Sequence, residues 1–217
     1  MAGLVVTIAQ RKGGAGKTTL AAQLAVVWAR QGMRVAMVDI DPQASLAAWV
    51  ELRRARLGAS AVGFDFAELP GWRAASWIED QARRADLVVI DNPPHAETEA
   101  QIAVRTAGLV LIPVQPSPLD LWATTATLKM ARSERRPALV VLNRVPSRST
   151  LTDHIVADLA ETGATVAATR VGNRIVLARA MALGLGVVES ADRSLAASEI
   201  TALAEEVRKG LEDADRG

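Results

Sequence analysis

The sequence predicts an α/β fold: one doubly wound domain with a mostly parallel sheet of about seven strands and helices on both faces. Three observations predict it. The runs LVVTIA, RVAMVDI, DLVVID, GLVLIPV and ALVVLN are apolar throughout instead of alternating, which is how strands buried on both faces read. Segments with helical spacing separate them, giving strand, helix, strand in repetition. The chain has 217 residues, half of them hydrophobic, and no low-complexity linker, repeat or long charge block divides it. Residues 1–217 are therefore expected to form a single domain.

Taken in order, the first strand is expected at 4–9, and Leu20, Leu24, Val27 and Trp28 mark the helix after it, with Gly32 as its stop. Strands follow at 34–40, 61–66, 86–91, 109–114, 138–143 and 165–169. The run at 61–66, AVGFDF, is short and interrupted by Gly63. Beyond Ser198 a last helix carries an apolar stripe of Ile200, Leu203, Val207 and Leu211, with Glu205, Glu206, Glu212 and Asp213 on its polar side. Trp28, Trp49, Trp72, Trp77 and Trp122 are expected to pack helices onto the sheet. His95 and His154 have no second histidine at ligand spacing.

Composition removes several function classes. There is no cysteine, which excludes disulfides, thiolate zinc sites and cysteine-ligated iron–sulfur clusters. No apolar run approaches the roughly 20 residues that span a bilayer, and the N-terminus lacks a signal-peptide pattern. The expectation is a soluble, cytoplasmic protein. Net charge is only +1, but Lys129, Arg132, Arg135, Arg136, Arg144 and Arg148 face the single acid Glu134 over one stretch. A solvated surface explains such a run as well as a function does.

In an open parallel sheet, ligands bind beyond the carboxyl ends of the strands, and the informative residues fall there. After the first strand comes RKGGAGKTT, where Lys12, Gly13, Gly14, Ala15, Gly16, Lys17, Thr18 and Thr19 read as a phosphate-binding loop opening a helix. The usual G-x-x-x-x-G-K-[ST] pattern would start with glycine at Arg11; instead a second lysine, Lys12, follows that position. Lys17 is expected on the β- and γ-phosphates of a nucleotide and the Thr18 hydroxyl on Mg²⁺. After the second strand, Asp39 and Asp41 lie two apart on a strand end, one suited to the metal's water shell and one to the attacking water. Asp91 ends the strand at 86–91, where a partner of Mg²⁺-bound water belongs, although a helix cap is the alternative. Asn143-Arg144-Val145-Pro146 lacks the carboxylate that would read guanine, so adenine is expected, with Asn143 on its amino edge or serving only as a turn residue.

Together RKGGAGKTT, VDIDPQASLAAW, LVVIDNPP and PVQPSPLD, continuing through ESADRSLAASEITALAEEV, resemble the ParA family of deviant-Walker partition ATPases over nearly the whole chain. The short type of that family, without an N-terminal helix-turn-helix domain, is the better match. The resemblance implies slow Mg²⁺-ATP hydrolysis and an ATP-sandwich homodimer in which Lys12 reaches the nucleotide of the opposite protomer. It implies Asp41 as the residue that positions the attacking water, while Asn92 and His95 depart from the residues common after the strand-ending acid. It also implies nonspecific binding to double-stranded DNA on the nucleoid and a ParB-like or small centromere-binding activator. Candidate DNA contacts are Arg144, Arg148, Arg170, Arg174 and Arg179. The cargo would be plasmid or chromosomal DNA, with a protein assembly such as a carboxysome or chemoreceptor array as the alternative. A MinD-like membrane switch would need a cationic tail, which the acidic last helix does not supply, so no membrane partner is expected. A metabolic enzyme on the same fold is a further rival.

Overall fold

The computed structural model describes residues 3–59, 62–94, 97–147 and 151–216. Among them, seven strands form one parallel sheet: β1 (Leu4–Ile8), β2 (Val35–Asp39), β3 (Asp65–Glu68), β4 (Leu87–Asp91), β5 (Leu109–Val114), β6 (Ala138–Leu142) and β7 (Thr165–Val166), in the spatial order β3-β2-β4-β1-β5-β6-β7. The chain first winds outward from β1 to one edge, then crosses back over β1 at β5 to build the other. A ligand cleft belongs at that reversal, beyond the carboxyl end of β1.

The strand runs are apolar throughout because each face has its own helical cover. Val6, Ile8, Met37, Val89, Leu111 and Val141 pack under helices α1 (Lys17–Arg30), α2 (Ser45–Leu57), α7 (Ile175–Ala182), α8 (Val187–Ser190) and α9 (Leu195–Arg216). Their strand neighbours point the other way. Ala36, Val38, Val88 and Ile90 meet α3 (Gly71–Ala82) and α4 (Glu97–Thr106), whereas Val110, Ile112, Val140 and Leu142 meet α5 (Pro118–Ser133) and α6 (Leu151–Glu161). The period-two alternation of strand side chains thus divides one apolar run between two cores.

Two strands differ from expectation. Gly63 stands at φ 88°, a turn conformation, so β3 begins after it at Asp65 and not at 61; Ser60 and Ala61 lie outside the described residues. β7 ends at Val166; the Ala167 N–H still donates to the Val140 carbonyl of β6 at 2.7 Å, but the two N–H groups after it are claimed elsewhere. Ala168 and Thr169 donate to the Glu206 carboxylate of α9 at 2.7 and 3.0 Å instead of to a strand. Trp28 and Trp49 are buried and Trp77 packs against the α3–α4 core as expected, but Trp72 and Trp122 stand exposed and pack no helix down.

One buried cation ties the outer helices together. The Arg53 guanidinium of α2 is bidentate to Glu189 of α8 at 2.7 Å for each bond, and it also donates to the carbonyls of Val62 and Gly184. It lies 5.6 Å from the ring centroids of both Trp49 and Phe64. Removing one partner of such a pair strands the other charge, a loss of about 3–5 kcal/mol. Arg53→Ala is expected to lower the unfolding free energy by that amount in urea titration, while the exposed Arg54→Ala shifts it by about 0.5 kcal/mol or less. Equal effects of the two would refute the hub.

Candidate functional site

The loop between β1 and α1 owes its shape to its glycines. Gly14 and Gly16 sit at φ 78° and 96°, in the left-handed region, and Gly16 caps α1. A Cβ on Gly16 would lie 2.4 Å from Asn143 Nδ2, so no larger residue fits. Asn143 Nδ2 donates to the Ala15 carbonyl at 2.8 Å and Gln115 Nε2 donates to the Gly14 carbonyl at 3.1 Å. With these carbonyls held by side chains, the loop is fixed as a cradle at the positive end of α1.

That cradle walls a cavity of ≈ 370 Å³ lined by Gly13, Gly14, Gly16, Lys17, Thr18, Thr19, Asp41, Gln43, Ser45, Pro94, Arg144 and Met181. Thr19, Arg144 and Met181 also line a second cavity of ≈ 320 Å³, closed by Asn143, Gly172, Asn173, Arg174, Leu177 and Ala178. The two are continuous: a cationic, N–H-rich compartment leads into a partly apolar one. Phosphates suit the first, and a base with its ribose suits the second.

Asp91 lies between them and the core. It is completely buried, and neither carboxylate oxygen has a hydrogen-bond partner. Burial drives its pKa from an ordinary 3.8 to about 7, with Thr18 and Lys17 pulling the other way and Asp39 and Asp41 adding to the rise. Lys17, also buried, is lowered by desolvation, against which Asp91 and Asp41 act. Among the described residues no three His, Cys, Asp or Glu side chains converge as a metal cage. A hard divalent ion would therefore take phosphate oxygens and water as most of its ligands, as Mg²⁺ does. The Asp91 carboxylate beside Thr18 fits that chemistry: the Thr18 hydroxyl could hold such an ion and Asp91 could accept from its water.

Asp39 Oδ1 accepts from the Asp41 N–H at 3.0 Å, and its Oδ2 accepts from the N–H groups of Leu46 and Ala47 at 2.9 and 3.1 Å. These bonds close the β2–α2 loop and hold the first turn of α2. Asp41 lies past the end of β2, lines the phosphate cavity, and holds the Gln43 N–H on Oδ1 at 2.9 Å. Asn143 lines the second cavity, where its amide nitrogen braces the loop and its Oδ1 accepts from the Arg144 N–H at 2.9 Å.

Lys12 is absent from the lining of its own phosphate cavity. Its ammonium is paired with Asp120, a buried carboxylate in the first turn of α5. Below it, Gln10 Nε2 donates to Thr124 Oγ1 at 2.9 Å and Thr127 Oγ1 donates to Gln10 Oε1 at 3.3 Å. Asp120, Thr124 and Thr127 share one face of α5, which is therefore fastened along its length to the segment bearing Lys12.

The arginines expected on DNA differ in their partners. Arg144, at φ 52°, and Arg174 line the nucleotide cavities. Arg174 is bidentate to Glu199 at 2.6 and 2.8 Å, and Arg170 pairs with Asp153 at 3.2 Å. Arg179 is exposed on α7. Arg148 lies outside the described residues, as does His95. Sequence reasoning missed Asp120, Gln115 and the α7 wall of Leu177, Ala178 and Met181; an apolar helix gives no sign that one face borders a ligand.

Comparison with known proteins agrees with this geometry. Residues 6–188 match the family model described as CobQ/CobB/MinD/ParA nucleotide binding domain. The chain is 32% identical, over 93% of its length and 95% of the relative's, to maintenance of carboxysome distribution protein A of Halothiobacillus neapolitanus. It is 29% identical to the chromosome-partitioning ATPase Soj of Thermus thermophilus, covering 96% of this chain and 97% of that one. A variant of Cyanothece McdA in complex with ATP superposes with a TM-score of 0.80 at 17% identity, over 97% of both chains.

The buried Asp91 makes a pH signature in nucleotide-free, Mg²⁺-free protein. Between pH 4 and pH 7 the folded state keeps a proton that the unfolded chain has released, so stability falls as pH rises through that window. Asp91→Asn is expected to remove this contribution and to be more stable than wild type above pH 7, in denaturant titrations across the range. Asp39, raised by burial too, contributes the same sign in both proteins and cancels. Superimposable pH profiles would contradict the burial argument.

Proposed function

We propose that this chain, which belongs to the CobQ/CobB/MinD/ParA nucleotide-binding family and is an ATPase of the positioning and partition type, positions a protein assembly of the carboxysome kind, cycling between monomer and an ATP-sandwich homodimer that holds double-stranded DNA as a track. The likeness to the carboxysome distribution protein over almost the full length of both chains carries this reading. The likeness to Soj supports a second, the segregation of chromosomal or plasmid DNA through a ParB-like activator. A membrane role has less support. No helix among the described residues is long and apolar enough to cross a bilayer, and the stripe of Ile200, Leu203, Val207 and Leu211 that a surface helix would insert is buried in the core.

In the proposed cycle Lys17, Thr18 and the loop N–H groups bind the triphosphate, and the cation neutralises charge that builds on the transferred phosphoryl group. Asp41 orients the attacking water. Lys12, held by Asp120 in the single chain, acts on the nucleotide of the opposing protomer. Because Lys12 serves the partner's site, Lys12→Ala is expected to bind ATP normally yet stay monomeric by light scattering with a nonhydrolysable analogue. Asp41→Ala is expected to dimerise and stop turning over. An unaltered dimer in the first, or near wild-type phosphate release in the second, would remove those assignments.

The cargo is tested in the native host. Deleting the gene is expected to leave DNA inheritance intact while the protein assembly collapses into clusters under the microscope. Loss of plasmid or chromosome with assemblies evenly placed would favour the second reading.

A further inference from the structure

A groove opens between the carboxyl ends of α3 and α4, which lead into β4 and β5, so it lies at the amino end of the sheet and away from the nucleotide cavities. It encloses ≈ 490 Å³, within the range of about 300–1,000 Å³ that ligand sites occupy. Its floor is apolar, made by Val5, Ala75, Ile78, Ala82 and Ile102. Arg105 and Arg136 line it too, with Thr106 and Glu79 as the remaining polar groups.

The basic stretch from Lys129, which the nucleotide site does not use, reaches this groove at Arg136. Its single acid, Glu134, is already engaged by Gln101 Nε2 at 2.6 Å. Arg136 Nη2 donates to the Arg105 carbonyl in the last turn of α4 at 2.6 Å, while its Nε is buried and has no hydrogen-bond partner. Arg105 is exposed, and among the described residues neither arginine pairs with a carboxylate. Another cavity of ≈ 490 Å³, beside the last turn of α9, shows the contrast. There Arg34, Arg83 and Arg216 stand with Asp86, Glu212 and Asp215, and Arg34 is bonded to Asp86 at 2.6 Å. That cavity balances its own charges, whereas the α3–α4 groove sets two cations against Glu79 alone.

We propose that this groove docks a segment of a partner protein that combines carboxylates with a large apolar side chain. The apolar group enters the floor, and the carboxylates meet Arg105 and the remaining donors of Arg136. A guanidinium presents five donors in a planar fork that matches a carboxylate, and Arg136 spends one of them on α4. A second copy of the same face would bring Arg105 and Arg136 of one chain against those of the other in a two-fold contact, so the charge selects a different protein. Duplex DNA fits the groove poorly. Phosphates are met by cations spread along a surface that follows the backbone, and here two cations border a concave apolar floor that a duplex would leave empty, beside a carboxylate that repels it. The inference is independent of the proposed cycle: a partner seated at the amino end of the sheet leaves the nucleotide cavities at the other end open.

The full chain, without nucleotide, is used to select from random peptides displayed on phage. Enriched sequences are made as fluorescent peptides and titrated by fluorescence anisotropy into wild type, Arg105→Glu, Ala75→Trp and, as a basic control on the exposed end of α2, Arg56→Glu. Arg105→Glu reverses a charge at an exposed position, and Ala75→Trp fills the floor without changing charge; thermal melting checks that each is folded. The expected peptides join Asp or Glu to a large apolar residue and bind more weakly as salt rises. Their affinity is expected to fall about tenfold or more in both groove variants, each of which removes a different half of the contact, and to stay unchanged in Arg56→Glu. Adding Mg²⁺ and a nonhydrolysable ATP analogue should leave peptide affinity as it was. Enriched peptides without acids, or peptides that bind both groove variants as tightly as wild type, overturn the proposal. So does a selection that enriches nothing. Arg105-dependent binding of duplex DNA, with no acidic peptide enriched, assigns the groove to nucleic acid and also overturns it. None of these outcomes bears on the ATP-dependent dimer, which light scattering reads separately.

Discussion

An aspartate sealed off from water at the centre of the sheet, with neither oxygen bonded, sets the terms for the rest of this structure. Asp91 ends β4 between β1 and β2, level with the apolar Ile8 on one side and a second buried carboxylate, Asp39, on the other. An unsatisfied buried carboxylate is among the more costly groups a fold can keep, and this one persists because Lys17 and Thr18 stand against it from the start of α1. The same packing that drains water from the two cores raises the Asp91 pKa and lowers that of Lys17. Both groups are then poised for the arrival of a polyphosphate with its cation, which supplies charge to the lysine and water donors to the aspartate. The site is a place the fold leaves electrostatically incomplete.

The second lysine is handled in the opposite way. Lys12 is paired within the chain to one oxygen of a buried carboxylate of α5, and the helix is bonded through Thr124 and Thr127 to Gln10, in the segment between β1 and Lys12. One cation is committed to nucleotide in its own site, and the other is parked at the rim of the same face. Moving it to another chain exchanges one ion pair for another, so the free energy of assembly depends on what the second chain offers, which is nucleotide. In the proposed cycle this exchange would make assembly depend on nucleotide.

Much of this was legible in the sequence, and the failures have physical causes. Continuous apolar runs located five of the seven strands within a residue or two because two-sided burial leaves no polar alternation to misread. The phosphate loop was legible because glycines at 14 and 16 and lysine at 17 are demanded by backbone shape and charge together. The Asp39 contacts to backbone N–H groups were not legible, because the period-two argument holds only inside a strand; β2 ends at Asp39, and Asp41 already belongs to the loop. Asn143 was placed on the base because its chain position fits, whereas its amide is spent on the Ala15 carbonyl. The arginines could not be sorted at all. Whether Arg174 meets Glu199 or solvent depends on α9 returning across the sheet, a contact 25 residues away in sequence. For the same reason the exposure of Trp72 and Trp122 was invisible: tryptophan in an amphipathic helix reads as core until the surrounding helices are placed.

The central claim is that Lys12 completes the site of the opposing protomer, and mixing two inactive variants tests it most directly. In a mixed dimer of Lys12→Ala with Asp41→Ala, one nucleotide would be flanked by an intact Asp41 in its own chain and an intact Lys12 from its partner. The account predicts that combining the two proteins with Mg²⁺-ATP restores phosphate release, to at most roughly a quarter of wild type when subunits pair at random and one site per mixed dimer works. If Lys12 acts within its own chain, neither site of the mixed dimer is complete. A mixture that forms mixed dimers and stays as inactive as its components would contradict the account.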